Sequence, residues 1–255
     1  MKWCRLAGVT AFISAVLAGV CWGGAAPIAA PAGWAVLVEY NSYGGRYDDL
    51  PVGYVNSARV LTALISRGWP PDHILLVRDS PDRAAVRRAT EWLAARARPE
   101  DTALLYVAGE YQFFERDLEW GATLPSLWRR IETPHRVLIV ETCFAGRLTA
   151  AVGGIPGLGL PAVGREELDW WGLRGTDRLI QGGSFTYFLA RALESQPAGA
   201  SVDFAAAFVT AVAGAQEYFQ TVIATTPRAL ASFHARNSYP EHLTTFPNPR
   251  LTQAP

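Results

Sequence analysis

Short apolar runs alternate along the chain with segments in which apolar residues recur every three or four positions, beginning at Trp34. The runs predict buried β-strands, and the spaced positions predict amphipathic helices that pack against them. The predicted strands are 34–40, 73–79, 102–109 and 136–142, with 177–181 as a fifth. The predicted helices are 54–68, 80–97, 124–132, 184–194 and 201–215.

This alternation predicts an α/β fold, a three-layer sandwich in which a mostly parallel central sheet has helices on both faces. The Gly/Pro-rich stretch 152–165 is predicted to be a long loop. Open parallel sheets bind ligands beyond the carboxyl ends of their strands. We therefore expect the chemistry in the segments that follow three of the strands, 40–46, 109–111 and 141–146.

The N-terminal segment differs in character from the rest of the chain. Residues 6–20 are apolar apart from one threonine and one serine, and small residues dominate 23–30. This pattern is typical of a secretory signal peptide. A retained signal-anchor is the alternative, since about 20 apolar residues can span a bilayer. We predict that residues 1–30 are one of the two and that a single domain, 34–250, is secreted or held outside the cytoplasm by this segment.

Composition narrows the function further. The 255 residues include 23 basic and 23 acidic side chains, which gives no electrostatic reason to expect a nucleic acid partner. Three cysteines are too few for a disulfide scaffold. No His/Cys/Asp cluster has metal-ligand spacing, and the glycine-rich stretch 153–159 lacks the Lys-Ser/Thr of a phosphate-binding loop. We predict no cofactor, and the sequence indicates no oligomeric state.

Cys143 is the candidate with the clearest position, because it directly follows the predicted strand 136–142 in the sequence Glu-Thr-Cys-Phe-Ala-Gly. A cysteine at a strand end can present its sulfur at the rim of the sheet. It can equally be a buried and inert thiol, which is a common fate of free cysteines. Position alone leaves both interpretations open.

The order of elements, the strand end VLIVETCFAG and the later QGGSFTYFLARAL resemble the caspase-like cysteine peptidases. This clan includes caspases, metacaspases, legumains and the transamidase of GPI-anchor attachment. The resemblance covers roughly residues 34–250 and implies a caspase-like fold with Cys143 as the nucleophile. The first strand and its loop, VEYNSYGGRYDDL, resemble the start of legumains, in which an arginine helps to form the primary specificity pocket. The resemblance therefore implies Arg46, Glu141 and Ser184 as substrate-binding residues.

The resemblance breaks where the family has its catalytic histidine. The turn after the third strand usually reads Gly/Ser-His-Gly, whereas this chain has Gly109-Glu110-Tyr111. An imidazolium lowers the pKa of a neighbouring thiol, but a carboxylate raises it. With Glu110 as the second catalytic candidate in place of histidine, we predict an inactive or impaired peptidase homologue that binds a peptide or a protein.

Four histidines could in principle replace the missing one. His73 and His135 each begin a predicted strand, which puts them at the opposite edge of the sheet from Cys143. His234 and His242 lie in the C-terminal segment, whose path the sequence does not give.

Two alternatives remain open. One is an atypical but active cysteine endopeptidase or transpeptidase that uses Cys143 with Glu110 or with a distal histidine. The other is a flavodoxin-like module that binds a small ligand at its sheet edge. Aromatic residues crowd the predicted edge, where they could line a groove or close the core. They are Tyr40, Tyr43, Tyr47, Tyr111, Phe113, Phe114, Trp170 and Trp171.

Overall fold

The computed structural model describes residues 32–223, except 51, 81, 170, 173–179, 198 and 199, together with 252–254. The N-terminal segment 1–30 lies outside these residues, as do His234 and His242. Within the described ranges, no helix is both long enough and apolar enough to cross a membrane.

A six-stranded sheet forms the centre of the molecule. The strands of the chain are β1 (Gly33–Glu39), β2 (Ile74–Arg78), β3 (Thr102–Ala108), β4 (Arg136–Glu141), β5 (Gly157–Pro161), β6 (Trp171–Gly172), β7 (Gly182–Gly183) and β8 (Thr252–Ala254). The order in the main sheet is β2-β1-β3-β4-β5-β8. The first five strands are parallel, and β8 runs antiparallel to β5. Strands β6 and β7 form a separate antiparallel pair.

Helices cover both faces of the sheet. They are α1 (Val55–Ser66), α2 (Ala84–Ala94), α3 (Trp120–Arg129), α4 (Ala145–Ala150), α5 (Ser184–Glu194) and α6 (Phe204–Tyr218). Short 3₁₀ and π-helical turns occupy Pro71–His73, Phe113–Asp117 and Phe219–Ile223. Buried residues of α2, α3 and α4 pack on one face of the sheet, and those of α1, α5 and α6 pack on the other. The predicted three-layer α/β sandwich is therefore confirmed.

Alternate residues of each central strand belong to the two hydrophobic cores, one on each face of the sheet. In β1, Val36 and Val38 join the core with α2, whereas Ala35 and Leu37 join the core with α1. All four side chains are fully buried, which explains why the strand reads as one continuous apolar run.

The four strands predicted first lie within one residue of their observed bounds, but the predicted loop 152–165 is wrong in part, because it contains β5. Leu158 pairs with Val137 of β4, and the fully buried Leu160 pairs with Ile139. Gly157 opens the strand with φ +140°, and a Cβ there would meet the carbonyl oxygen of residue 136 at 2.9 Å. Close approach to β4 therefore requires the glycine that made this stretch look like a loop.

The fifth strand predicted at 177–181 falls mostly on residues that the structure does not describe. The next short strand, β7, begins at Gly182.

Candidate functional site

The register of β3 and β4 sets the geometry of the site at the carboxyl edge of the sheet. Ala108 pairs with Glu141, and the N–H of Gly109 donates to the Glu141 carbonyl at 3.2 Å. Glu110 and Cys143 therefore leave the ends of adjacent strands. The rings of Tyr111 and Phe144, one residue further along each segment, meet edge to face with centroids 5.3 Å apart. The structure thus brings the two catalytic candidates together.

Cys143 lies in a sharp turn between β4 and α4. Phe144 adopts a left-handed conformation with φ 53°, and its N–H donates to the carbonyl of Glu167 at 2.8 Å. The half-buried Cys143 side chain packs against an apolar cluster that contains Leu168, Tyr218 and Phe219. This setting presents the sulfur to apolar neighbours more than to water.

The charges near Cys143 disfavour its thiolate. Burial raises the pKa of the Cys143 thiol far above its ordinary value, and the carboxylates of Asp169 and Glu110 raise it further. Backbone hydrogen bonds at Asp169 and at Cys143 itself lower the pKa but do not offset these three effects. The site therefore stabilises the neutral thiol rather than the nucleophilic form.

Glu110 is held in place by Tyr43. The Tyr43 hydroxyl accepts from the N–H of Glu110 at 2.8 Å and donates to the Tyr40 carbonyl at 2.6 Å. Gly109 has φ +147°, and a Cβ at that position would meet the Tyr43 hydroxyl oxygen at 2.7 Å. Burial raises the pKa of Glu110 to about 7, with contributions from Asp48 and Asp169. Both protonation states of this carboxyl are therefore populated near neutral pH.

Glu141 is completely buried and binds the first turn of α5. Its Oε2 accepts from the N–H of Thr186 at 2.6 Å and from the Thr186 hydroxyl. The hydroxyl of Tyr106 lies 2.8 Å from the same threonine oxygen. Burial, followed by the neighbouring Asp169 carboxylate, raises the pKa of Glu141 well above its ordinary value. The Glu141 side chain therefore stabilises the fold at this edge, whatever further role it has.

A second buried acid supports this interpretation of Glu141. Glu39 ends β1 as Glu141 ends β4, and it is also fully buried. Its carboxylate accepts from the backbone N–H groups of Asn56 and Ser57, at 3.3 and 2.8 Å, in the first turn of α1. Helices α1 and α5 of this face thus each begin on a glutamate at a strand end, which suits the partial positive charge of a helix N-terminus.

The three substrate-binding candidates are placed differently. Ser184 is the first residue of α5 and is nearly buried, close in sequence to the threonine that binds Glu141. Arg46 is exposed in the loop after β1 and forms an ion pair with Asp117. Among the described residues, the Arg46 guanidinium contacts Asp117, whereas Glu141 binds Thr186 at the start of α5. The role of all three in substrate binding stays a prediction.

The two described histidines lie at the amino edge of the sheet, as expected. The His73 ring stacks on Trp34 with centroids 3.6 Å apart, and its Nδ1 is 3.1 Å from the Gly33 carbonyl oxygen. His135 lies in the turn before β4, where its N–H donates to the Thr133 hydroxyl at 3.0 Å. A strand of this length separates the two edges by roughly 15 Å or more. In the described ranges, no imidazole therefore lies beside Cys143.

The aromatic residues of this edge divide into two groups. Tyr40, Tyr43 and Phe114 are buried and belong to the core with α2 and α3, so these three close the core. Tyr47, Tyr111, Phe113 and Trp171 are only partly buried, and Trp170 lies outside the described residues. The partly buried rings are the ones that a ligand at this edge could contact.

Asp169 is the site residue that the sequence did not reveal. It lies in the long connection after β5 and shifts the pKa values of Glu110, Glu141 and Cys143. Its Oδ2 accepts from the indole N–H of Trp171 at 2.8 Å. The sequence Asp-Trp-Trp-Gly marks the segment as unusual, but the path that brings it over Cys143 depends on tertiary packing.

No protein family model and no curated protein sequence matches this chain. Among solved structures, the fold is similar to that of caspase-1 from Spodoptera frugiperda, with a TM-score of 0.53 and 12% sequence identity. The match covers 73% of this chain and 77% of that one. At this identity the likeness shows the fold alone, which is caspase-like. The antiparallel sixth strand, β8, distinguishes the sheet from the flavodoxin-like alternative, whose five parallel strands have the same order 2-1-3-4-5.

Proposed function

We propose that this chain is a homologue of the caspase-like cysteine peptidases that binds a peptide or a protein without efficient cleavage. The observation that carries the proposal is the environment of Cys143, whose charged neighbours are the carboxyl groups of Glu110 and Asp169. A cysteine peptidase needs a thiolate and a proton donor for the leaving group. Loss of one catalytic partner typically costs on the order of a thousandfold or more in rate.

The proposal also places the domain outside the cytoplasm, as a secreted or membrane-anchored protein. This part rests only on the sequence of residues 1–30, where an apolar stretch is followed by small residues. The ligand would contact the partly buried aromatic side chains at the carboxyl edge, Tyr47, Tyr111 and Trp171. Aromatic side chains beside few polar groups are common in ligand sites.

The test is the alkylation rate of Cys143 by iodoacetamide near neutral pH, read by mass spectrometry of the peptide that contains it. We expect a rate no faster than that of an unperturbed thiol. In Glu110→His an imidazole replaces the carboxylate, and the rate should rise several-fold or more. Glu110→Gln is the matched control, because it removes the negative charge without adding a base and should have a smaller effect.

Peptide hydrolysis provides a second test, whose positive result would contradict the proposal. A peptide library incubated with the wild-type protein and with Cys143→Ala should show no turnover that depends on the cysteine. Robust hydrolysis by the wild type that disappears in Cys143→Ala would refute the proposal.

One observation favours a second candidate function, an active hydrolase that uses Glu110 as the base. The pKa of Glu110 is raised to about 7, the range in which a general base works best at neutral pH. This candidate requires turnover that is lost in Glu110→Gln as well as in Cys143→Ala. Turnover that survives Glu110→Gln would exclude it.

A further inference from the structure

The segment that follows β5 crosses the carboxyl edge of the sheet next to α4. Its residues 164–169 form neither helix nor strand. The N–H of Phe144 donates to the carbonyl of Glu167 in this segment at 2.8 Å. The N–H of Gly146 donates at 3.1 Å to the carbonyl of Val163, which lies just before it. Both donors belong to the start of α4, where N–H groups have no acceptor within the helix, so the segment supplies the carbonyls that satisfy them.

Arg147 of α4 holds the outer side of this segment. Its Nε donates to the Arg165 carbonyl at 2.8 Å, and its guanidinium also pairs with the Glu166 carboxylate. The same guanidinium lies over the Phe144 ring, with its central carbon 4.9 Å from the ring centroid. Arg147 therefore joins the segment to the turn that contains Cys143.

A close backbone contact sets the distance between the segment and α4. A Cβ at Gly146 would meet the backbone nitrogen of Arg165 at 2.8 Å and the carbonyl carbon of Gly164 at 2.9 Å. Both distances are shorter than those that Cβ atoms show in proteins. The segment can therefore lie this close to α4 only because residue 146 is a glycine.

Few side chains hold the segment in place. Leu168 is its one buried side chain, at 8% exposed, and it belongs to the apolar cluster against which Cys143 packs. Arg165 and Glu166 are exposed. Segments with few buried apolar contacts open at a low cost in free energy. Opening would uncover Cys143 and remove the carbonyl that accepts from the Phe144 N–H, so that a carbonyl of a bound peptide could take its place.

We propose that residues 164–169 form an autoinhibitory strap, which covers Cys143, keeps a peptide ligand out and is held closed by Arg147. The inference rests on the proposed function, because it describes how access to the same site is regulated. In the closed position, the Glu167 carbonyl and the Leu168 side chain occupy a backbone donor and an apolar surface next to the cysteine. A ligand that binds there must displace the strap, so its apparent affinity scales with the fraction of molecules that are open.

Hydrogen exchange with mass spectrometry on the full chain tests the strap directly. In Arg147→Gln the Phe144 amide, read from overlapping peptides, should exchange about tenfold faster, since a charge-assisted hydrogen bond that favours the closed position is lost. Gly146→Ala should accelerate the same amide, because the added Cβ displaces the strap without a change of charge. Arg130→Gln is the matched control and should exchange this amide at the wild-type rate. Arg130 also forms an exposed ion pair, with Glu91 at 2.9 Å, but its printed contacts lie outside the strap.

Alkylation of Cys143 by a bulky maleimide gives a second readout, whose direction separates access from charge. Loss of the Arg147 cation alone would disfavour the thiolate and slow the reaction. We expect a several-fold faster reaction in Arg147→Gln instead, because an open strap gives the reagent access to the sulfur.

The strap is wrong if the Phe144 amide exchanges at the wild-type rate in both Arg147→Gln and Gly146→Ala. It is also wrong if Cys143 is alkylated no faster in Arg147→Gln than in Arg130→Gln. Should Gly146→Ala fail to fold by circular dichroism, the comparison of the two arginine variants still decides. Peptide hydrolysis that depends on the cysteine would refute the proposed function alone, whereas unchanged exchange and alkylation would refute the strap alone.

Discussion

The reactivity of Cys143 depends on a few side chains, and each of them acts in the same direction. Burial and the two carboxyl groups of Asp169 and Glu110 all raise the pKa of the thiol. The contribution of Glu110 could be predicted from the sequence, because Glu110 follows a strand end and stands at the position of the family's histidine. Asp169 could not be predicted, because 26 residues separate it from Cys143 and the connection between them has no periodic pattern.

Glu110 should make the stability of the protein depend on pH. Its pKa is about 7 in the folded protein, above its usual 4.5, so the folded state holds the proton more tightly. The free energy of unfolding should therefore fall as pH rises from about 4.5 to about 7, by up to about 1.4 kcal/mol per pH unit from this group. Urea unfolding of wild type and Glu110→Gln across this range measures the difference.

The variant Glu110→Gln should lack this part of the pH dependence and show a flatter profile. Glu194→Gln, at an exposed position at the end of α5, serves as the control and should follow the wild type. If the free energy of unfolding changes with pH in the same way in wild type and Glu110→Gln, the carboxyl of Glu110 does not cause the pH dependence.

Tyr43→Phe tests the hydroxyl that positions Glu110. The substitution leaves the N–H of Glu110 and the carbonyl of Tyr40 without the group that joins them. Unpaired buried polar groups cost about 1–3 kcal/mol, so we expect a loss of this size in the free energy of unfolding. In Tyr54→Phe, the half-buried hydroxyl that donates to Asp79 at 2.8 Å is removed instead. That loss should be below about 1 kcal/mol, since water can replace it.

At the scale of elements, the strands that are buried on both faces were the easiest to predict. Continuous apolar runs such as Val36–Val38 are typical of parallel strands that are buried on both faces. The sequence pattern does not predict strand β5, because a glycine, Gly157, occupies the position where its backbone approaches β4. The sequence pattern predicts that α3 starts at 124, four residues after its observed start at Trp120. The residue before it, Glu119, is left-handed with φ 48°, which no sequence pattern indicates for a glutamate.

Gly183 lies in close contact with the Glu141 side chain at the start of α5. It directly precedes the helix, and a Cβ at this position would lie 2.0 Å from Glu141 Oε1 and 2.2 Å from its Cδ. Gly183→Ala must displace a buried carboxyl group, and we expect a loss of about 1–3 kcal/mol or more in the free energy of unfolding. Chemical denaturation measures this loss.

Gly121→Ala is the control for that experiment. Gly121 lies within α3, where the nearest atom to an added Cβ is 3.9 Å away. Alanine there should be neutral or stabilise the protein by up to about 1 kcal/mol. Equal effects of the two substitutions would show that the contact between Gly183 and Glu141 is not tight.

At the scale of the whole molecule, the sheet places every described site residue at one edge and both described histidines at the other. This separation follows from parallel strands, because all their carboxyl ends point the same way. It was predictable from the sequence once the strands were assigned. The closure of the sheet by β8 was not, because a strand of three residues with the sequence Thr-Gln-Ala has no distinctive hydrophobic pattern.

Strand β8 covers the edge of β5, and this can be tested by removing it. Gly157, Leu158 and Gly159 pair with Ala254, Gln253 and Thr252. A chain that ends at residue 251 would leave the backbone groups of β5 unpaired at an exposed edge, which also promotes association between copies. We expect the Tm to fall by several degrees and amide hydrogen exchange to accelerate in 157–161.

The control for the truncation replaces Thr252 and Gln253 with alanine and keeps Ala254. Pairing between strands uses backbone groups, so this variant should keep most of the amide protection of β5. Both variants are compared by hydrogen exchange with mass spectrometry and by thermal unfolding. If the truncated chain exchanges its β5 amides as slowly as the wild type, the edge of β5 does not depend on β8. The difference between the two variants therefore separates the contribution of backbone pairing from that of the side chains.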